Sequence, residues 1–332
     1  MRLRKTIRLS FLLSICKCVS IFLLLLVPHC NCATFNECFP EKYNFICGNP
    51  NDFLHQTGIT LENNIIDRAR LQLLDRKFNG GSSGGIYQGN HNTYFIKQSN
   101  VFTEFIGSKL MSLIMGKKCT PVVKLVRDQI DCIASTKLEK FKTRKELESK
   151  KRFKRQKLVG EADITVAMDF LGIVDRHSKN MGYIKLRSKK LLAARVDFDA
   201  SFAFEIRPRA NAHYQETSNH MNLNLLYLSM QTYPEHEVRK AIKNITDIPD
   251  EKIVTTIFEC WATFSQMGYA ISSESCFNLA RKLIERKSAF NAILNDPNAV
   301  NYLSLQEDPV FNKVFKELKK SKQKSRKRRR YN

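Results

Sequence analysis

Apolar and polar residues alternate in IYQG (86–89) and again in TYFIK (93–97), on either side of the polar turn Asn90-His91-Asn92. Period-two alternation around a short polar turn predicts a β-hairpin. Leu71, Leu73 and Leu74 form an earlier β run ahead of a glycine-rich cluster. From Phe102 the period changes, because apolar residues at 102, 105, 106, 110, 113 and 114 follow one face of a helix. Residues 122–126 and 129–134 again predict strands. The order is strand, glycine loop, two strands, helix, two strands. Farther on the pattern is helical, with a helix at about 163–171 and blocks at 222–230, 251–268 and 277–294. A strand-rich first half and a helical second half predict an α+β chain of two lobes.

The first 33 residues follow neither pattern. Four of the residues from 2 to 8 are basic, and residues 9–27 are apolar apart from Ser, Cys and Lys17. The charge-free stretch 18–27 suits the hydrophobic region of a signal peptide, with Ala33 after Pro28 at a cleavage distance; a signal anchor spanning 9–27 is the alternative. Either reading implies export or membrane anchoring. Outside this leader six cysteines remain. Cys38 and Cys47 suit a local disulfide in an oxidising compartment, and Cys119, Cys132, Cys260 and Cys276 lie in apolar surroundings as buried thiols. Trp261, mid-helix, reads as core.

Charge sharpens the picture. The chain of 332 residues holds 55 Lys+Arg against 32 Asp+Glu, a net +23. The excess is concentrated in the leader, in 137–157 and in KKSKQKSRKRRR at 319–330, so the rest is close to neutral. A nucleic-acid-binding fold would spread such charge over a face of its core. The domains expected are therefore a leader (1–33), an N-terminal extension (34–65), an N-lobe (66–136), a basic insert (137–157), a C-lobe (158–318) and a basic tail (319–332).

Four features carry chemistry. The cluster Gly80-Gly81-Ser82-Ser83-Gly84-Gly85 lies between β runs, where glycine lets backbone amides approach phosphates. Lys97 sits inside a strand, and Glu104 follows in the first turn of the helix. A lysine that reaches nucleotide phosphates and is held by a helix glutamate is a pairing that phosphoryl transfer uses. In Gly172-Ile173-Val174-Asp175-Arg176-His177-Ser178-Lys179-Asn180, Asp175 can orient or deprotonate an attacking hydroxyl while Asn180 holds a divalent cation. Asp197, with Asp199 beside it, emerges at the end of an apolar β run, placed as a second metal ligand. Taken singly, each has an ordinary structural reading: a flexible turn, a solvent-facing lysine, a polar cap, a strand end.

Together and in this order they resemble the protein-kinase-like superfamily, and the DRHxxN form is similar to its atypical branches: phosphoinositide 3-/4-kinases, HipA-like kinases and kinases found among bacterial effectors. The resemblance covers about residues 75–205 and implies a bilobal fold with ATP between the lobes and Mg²⁺, or Mn²⁺ in its place. Carried over, Gly80, Gly81, Ser82, Ser83, Gly84 and Gly85 would cradle phosphates, Lys97 would bind them and Glu104 would pair with Lys97. Asp175 would be catalytic, with His177 near the transferred phosphate, and Asn180, Asp197 and more weakly Asp199 would bind the metal. DRH replaces HRD, Asp199 stands where a DFG motif has glycine, and no APE follows. Golgi casein kinases also use a DRH-type motif, but place Glu where Asn180 stands.

The acceptor implied first is a protein Ser/Thr hydroxyl. Arg207, Arg209 and His213 support a phosphoinositide acceptor instead, and a silent nucleotide-binding scaffold is the third reading. Residues 137–157 alternate basic residues with Leu138, Phe141, Leu147 and Phe153; they read as a solvated charged helix or as a contact for an anionic membrane or inositol phosphate. The tail 319–330 fits a nuclear-localisation signal, a nucleic-acid contact or a secretion or retention element.

Overall fold

A computed structural model of the chain describes residues 61–76, 84–127, 131–148, 157–186, 190–202 and 232–295, all within one compact unit, Pro50–Asn332. The leader, Cys38 and Cys47, Gly80 to Ser83, the helical block at 222–230, Arg207, Arg209, His213 and the tail lie outside the described residues.

A 3₁₀ turn, Leu61–Asn64, leads into β1 (Ile65–Asp67), and a second, Arg68–Arg70, into β2 (Gln72–Arg76). β3 (Gly84–Gln88) and β4 (Thr93–Gln98) form the hairpin expected from the alternation. With β5 (Val123–Arg127) and β6 (Cys132–Thr136) they make a six-stranded sheet in the order β1-β5-β6-β4-β3-β2. Only β1 and β5 run parallel within it. Lys97 therefore sits on a central strand, opposite Gly84 on one side and Ile133 on the other. A Cβ on Gly84 would lie 2.3 Å from the Ile96 carbonyl oxygen, so this approach of β3 to β4 admits only glycine. Gly84 and Gly85 are thus strand residues rather than loop residues.

Asn100 turns the chain from β4 into helix α1 (Val101–Met115), its side chain accepting the Thr103 N–H at 3.3 Å, as an N-cap does. Glu104 falls in the first turn, where the helix dipole favours a carboxylate. α1 packs on β5 and β6 and also on α5 (Asp250–Gln266). There Phe264 stacks on Phe102 at 6.1 Å and meets Phe105 edge-on at 5.5 Å. Such aromatic pairs contribute about 0.5–1.5 kcal/mol each beyond area burial. The helix carrying Glu104 is thereby fixed to both the sheet and the helical half.

The second sheet, in the order β7-β9-β10-β8, is where the observed structure departs from the sequence reading. β7 (Phe141–Thr143) and the short helix α2 (Arg144–Glu148) come from the basic stretch, and β8 (Lys157–Val159) begins at its last residue, so its described part is not one solvated helix. Leu147 is buried and Leu158 packs against the same core, while the lysines point outward. β9 (Met181–Lys185) and β10 (Lys190–Arg195) pair antiparallel, and β10 runs parallel to β8. A Cβ on Gly182 would lie 2.2 Å from the Lys142 carbonyl oxygen, so glycine is what allows β7 to lie against β9.

Helix α3 (Glu161–Phe170) precedes the DRH loop and packs on β10 and on α4 (Glu235–Thr246); α6 (Ser273–Asn295) packs on α4 and α5. The sequence reading omitted α4, although Val238, Ala241, Ile242 and Ile245 make a helical stripe and all are buried. Cys119, Cys260 and Cys276 are buried and Cys132 half-buried, all as free thiols, and Trp261 is core, with its indole N–H on the Ile271 carbonyl. Among the described residues no helix is long and apolar enough to cross a membrane.

Candidate active site

The end of β4, the first turn of α1 and, 100 positions farther along the chain, the segment after β10 meet at Lys97. Its Nζ lies 3.2 Å from Glu104 Oε2 and 2.6 Å from Asp197 Oδ1. The same Glu104 oxygen accepts the Phe198 N–H at 2.8 Å, and Thr103 Oγ1 donates to the Asp199 carbonyl at 2.7 Å. The segment after β10 is thus sewn to the first turn of α1. Gly107, one turn farther along α1, makes this possible: a Cβ there would lie 2.5 Å from Ser201 Oγ and 3.2 Å from Phe198 Cβ. Asp197 itself has a φ of 73°, in the left-handed region. Asp is among the few non-glycine residues that adopt it, and backbone strain of this kind concentrates at functional sites.

The DRH loop lies against this segment. Val174 N–H donates to the Ala200 carbonyl at 3.3 Å, Phe202 N–H to the Leu171 carbonyl at 2.9 Å, and Val196 N–H to the Asn180 carbonyl at 2.9 Å. Within the loop, Asn180 Nδ2 donates to Asp175 Oδ2 at 2.8 Å, and His177 Nε2 stands 3.5 Å from the same oxygen. His177 is exposed, whereas Asn180 is buried.

Charge here is unevenly balanced. Burial works against the Lys97 ammonium, but Glu104 and Asp197 outweigh it and hold its pKa above the ordinary value. Burial pushes the Glu104 carboxyl up to about 7, against the pull of Lys97. Burial also opposes ionisation of Asp197, yet Lys97 prevails and keeps it below the usual carboxylate range, while burial and then Asp197 raise Asp199. Carboxylate oxygens of Glu104, Asp197 and Asp199 lie within 4.8 Å of one another. Glu104 Oε1 is buried without a hydrogen-bond partner among the described residues. These crowded carboxylates form a hard-oxygen donor set, which fits Mg²⁺ or Mn²⁺, and Asn180 lies in the loop bonded to Val196 beside them.

A cleft of about 620 Å³ opens above the bridge. Lys97, Glu104 and Asp197 line it, and Ile86 and Ile96 of the first sheet, Phe141 of the second and the loop residues Leu138 and Val196 supply apolar walls. Gly85 lines it as well. The fold therefore gathers Lys97, Glu104, Asp197 and Asp199 around one point, and Asp175, His177 and Asn180 in the loop bonded to that segment. Gly80 to Ser83 lie outside the described residues.

Sequence reasoning missed the residues that support the loop. Arg176 pairs with the buried carboxylate of Asp169, and its Nε donates to the Ile173 carbonyl at 3.1 Å. Arg286 of α6 donates to the carbonyls of Asp169 and Phe170 at 2.6 and 2.8 Å, and burial lowers its pKa to about 10. Arg195 is wholly buried at the end of β10. The only local signal for Arg195 was a charge closing the apolar run LLAA; Asp169 and Arg286 are 117 positions apart, beyond any local pattern.

No protein-family model matches the sequence, and no curated protein matches it. Among solved structures, the crystal structure of the Helicobacter pylori proinflammatory kinase CtkA is similar, with 18% identity, covering 73% of this chain and 100% of that one, at a TM-score of 0.44.

Proposed function

We propose that this chain is an ATP-dependent phosphotransferase, an atypical kinase whose acceptor is a Ser or Thr hydroxyl of a protein. The observation that carries the reading is the Lys97 bridge, one largely covered ammonium held between a helix carboxylate and a strand-end carboxylate in the lining of a cleft. Phosphoryl transfer asks little covalent chemistry of a protein and depends on positioning and charge neutralisation.

In this reading the apolar walls take the nucleotide base, and Lys97, oriented by Glu104, binds its phosphates. Asn180 and Asp197, helped by Asp199, would hold Mg²⁺ or Mn²⁺. The bound cation supplies neutralisation of the phosphate charge. Asp175 orients the acceptor hydroxyl and takes its proton as the oxygen bonds to the γ-phosphorus and the bond to the departing ADP oxygen breaks. Its hydrogen bond from Asn180 Nδ2 fixes which carboxylate oxygen faces the acceptor. His177, exposed and 3.5 Å from Asp175, would stand near the transferred group in this reading. The presence together of Lys97, Asp175, Asn180 and Asp197 supports an active enzyme over a nucleotide-binding scaffold, which would not need all four.

A phosphoinositide acceptor is the second reading, supported by the basic Arg207, Arg209 and His213 soon after Asp197. The exposed Lys140, Lys142 and Lys145 support a contact of this stretch with an anionic membrane or inositol phosphate. The leader supports export or anchoring, and the tail is the segment suited to nucleic acid or nuclear import. Incubating the full chain with γ-labelled ATP and Mg²⁺ tests the reading, with the chain itself, a generic protein and phosphoinositide vesicles as acceptors. Label on protein that is lost in Asp197→Ala supports a protein kinase, and label on lipid favours the second reading. No label together with no ATP binding overturns both.

A further inference from the structure

Arg195 is a buried cation for which phosphate transfer, as described so far, has no use. It closes the run Leu191-Leu192-Ala193-Ala194 and is fully buried. An apolar side chain would suit such a position better, because a guanidinium removed from water must recover its hydration from fixed partners. Its partners lie at the site. Arg195 Nη2 donates to the main-chain carbonyl of Asp175 at 2.7 Å. Its own N–H donates to the Cys119 carbonyl at 3.0 Å, in the loop that follows α1. The guanidinium carbon is 5.8 Å from the centroid of the Phe198 ring, and Nη1 is 3.3 Å from Met168 Sδ. Nε is buried without a hydrogen-bond partner among the described residues.

Resting on the transfer reading above, we infer that Arg195 is a positioning residue, a strut that sets where Asp175 stands relative to Asp197. Asp197 follows it by two residues on the same strand end, and Asp175 is held by it through one short hydrogen bond. The strut grips the backbone of Asp175, leaving the carboxylate to Asn180 and the acceptor. It joins the loop that carries the proton acceptor to the strand end that carries Asp197. The neighbouring Val196-to-Asn180 bond ties the far end of the loop to the same two residues of chain. An apolar side chain at 195 removes this donor from the part-buried Asp175 carbonyl, and the loop then relaxes towards water. Displacements near 1 Å at a reacting group cost roughly 100-fold in rate.

The test uses the full chain with Arg195→Met and Arg195→Lys. Turnover, KM for ATP with Mg²⁺, melting temperature and amide hydrogen exchange are read together. Arg195→Met is expected to lower kcat by roughly 100-fold while KM for ATP moves less than about threefold, the mark of a lost transition-state arrangement rather than lost binding. Exchange of the 172–180 amides should rise by about tenfold or more with those of α5 unchanged. Arg195→Lys, which retains the charge and one donor, should recover part of the turnover. If Arg195→Met does not fold, Arg195→Gln is judged by the same division between kcat and KM. A kcat within about threefold of the native value, or parallel loss of kcat and ATP affinity without recovery by lysine, overturns the strut. A native chain that transfers no phosphate sinks the transfer reading instead, and with it the catalytic meaning of any change in loop exchange. An active native chain whose loop exchange is unaltered by the substitution sinks the strut alone.

Discussion

Lys97 Nζ and Asp197 Oδ1 lie 2.6 Å apart although the two residues are 100 positions apart in the sequence. This contact joins the first sheet to the strand end of the second. It leaves Lys97 mostly covered, with 15% of its side chain exposed against 31% for Asp197, and both residues line the cleft.

Replacing Lys97 by Met removes the ammonium that balances Glu104 and Asp197. Transfer should fall by roughly 100-fold or more, as when a group aimed at transition-state charge is deleted. The fold should lose only about 1–2 kcal/mol near pH 6, less than a broken buried ion pair usually costs, because Glu104 can take up a proton. Steady-state kinetics and urea unfolding of the same variant check both halves.

Glu104 predicts a pH dependence whose sign can be worked out. Its folded pKa of about 7 lies above its ordinary 4.5, so between these values the native state binds more protons than the unfolded state. Stability from this group falls as pH rises through that window and is flat below it. Glu104→Gln cannot ionise, so its stability relative to the native chain should improve from pH 4.5 to pH 8, by on the order of 3 kcal/mol. Activity should drop most above pH 7, where Glu104 is ionised and pairs with Lys97 and the amide cannot. Denaturant titrations at the two pH values measure the difference; a relative stability of Glu104→Gln that worsens with pH would contradict the sign.

Gly107→Ala sets helix propensity against space. Alanine should gain up to about 1 kcal/mol inside a helix. The new methyl group, however, meets Ser201 Cβ at 3.1 Å and Phe198 Cβ at 3.2 Å, and overpacking of this kind costs about 1–3 kcal/mol. A net loss is expected, with Gly107→Val worse, and the Glu104-to-Phe198 bond should loosen with it. Thermal unfolding and turnover should fall together across the series.

Arg286→Met takes two donors from the buried carbonyls of Asp169 and Phe170, at the end of the helix that feeds the DRH loop. It should cost about 2–4 kcal/mol of stability, with KM for ATP unchanged in the protein that remains folded. Urea unfolding paired with ATP titration separates the two effects.

The hairpin, α1 and the β5–β6 pair were legible because each is written in a local period, and Lys97 and Glu104 were legible because both fall at fixed places in that pattern. β7 and β8 were hidden because their three-residue strands carry one or two apolar anchors each among lysines, so charge masked the alternation. α4 was legible in principle from the spacing of Val238, Ala241, Ile242 and Ile245. Arg195, Arg286 and Gly107 were not, since their meaning lies in partners brought from other elements: a loop carbonyl, a helix end, a serine 94 positions away along the chain. The same reason left Glu104 out of the candidate metal set, although its carboxylate stands with those of Asp197 and Asp199.

The most direct test of the central claim follows ATP and acceptor together, by phosphorus NMR and intact-protein mass spectrometry, for the native chain and for Asp175→Asn with Mg²⁺ present. The account predicts that ADP appears in step with phosphate gained by the protein acceptor, and that Asp175→Asn still binds ATP but transfers roughly 100-fold more slowly or worse. ATP that stays intact with the native chain, or that is consumed equally by Asp175→Asn, would contradict it.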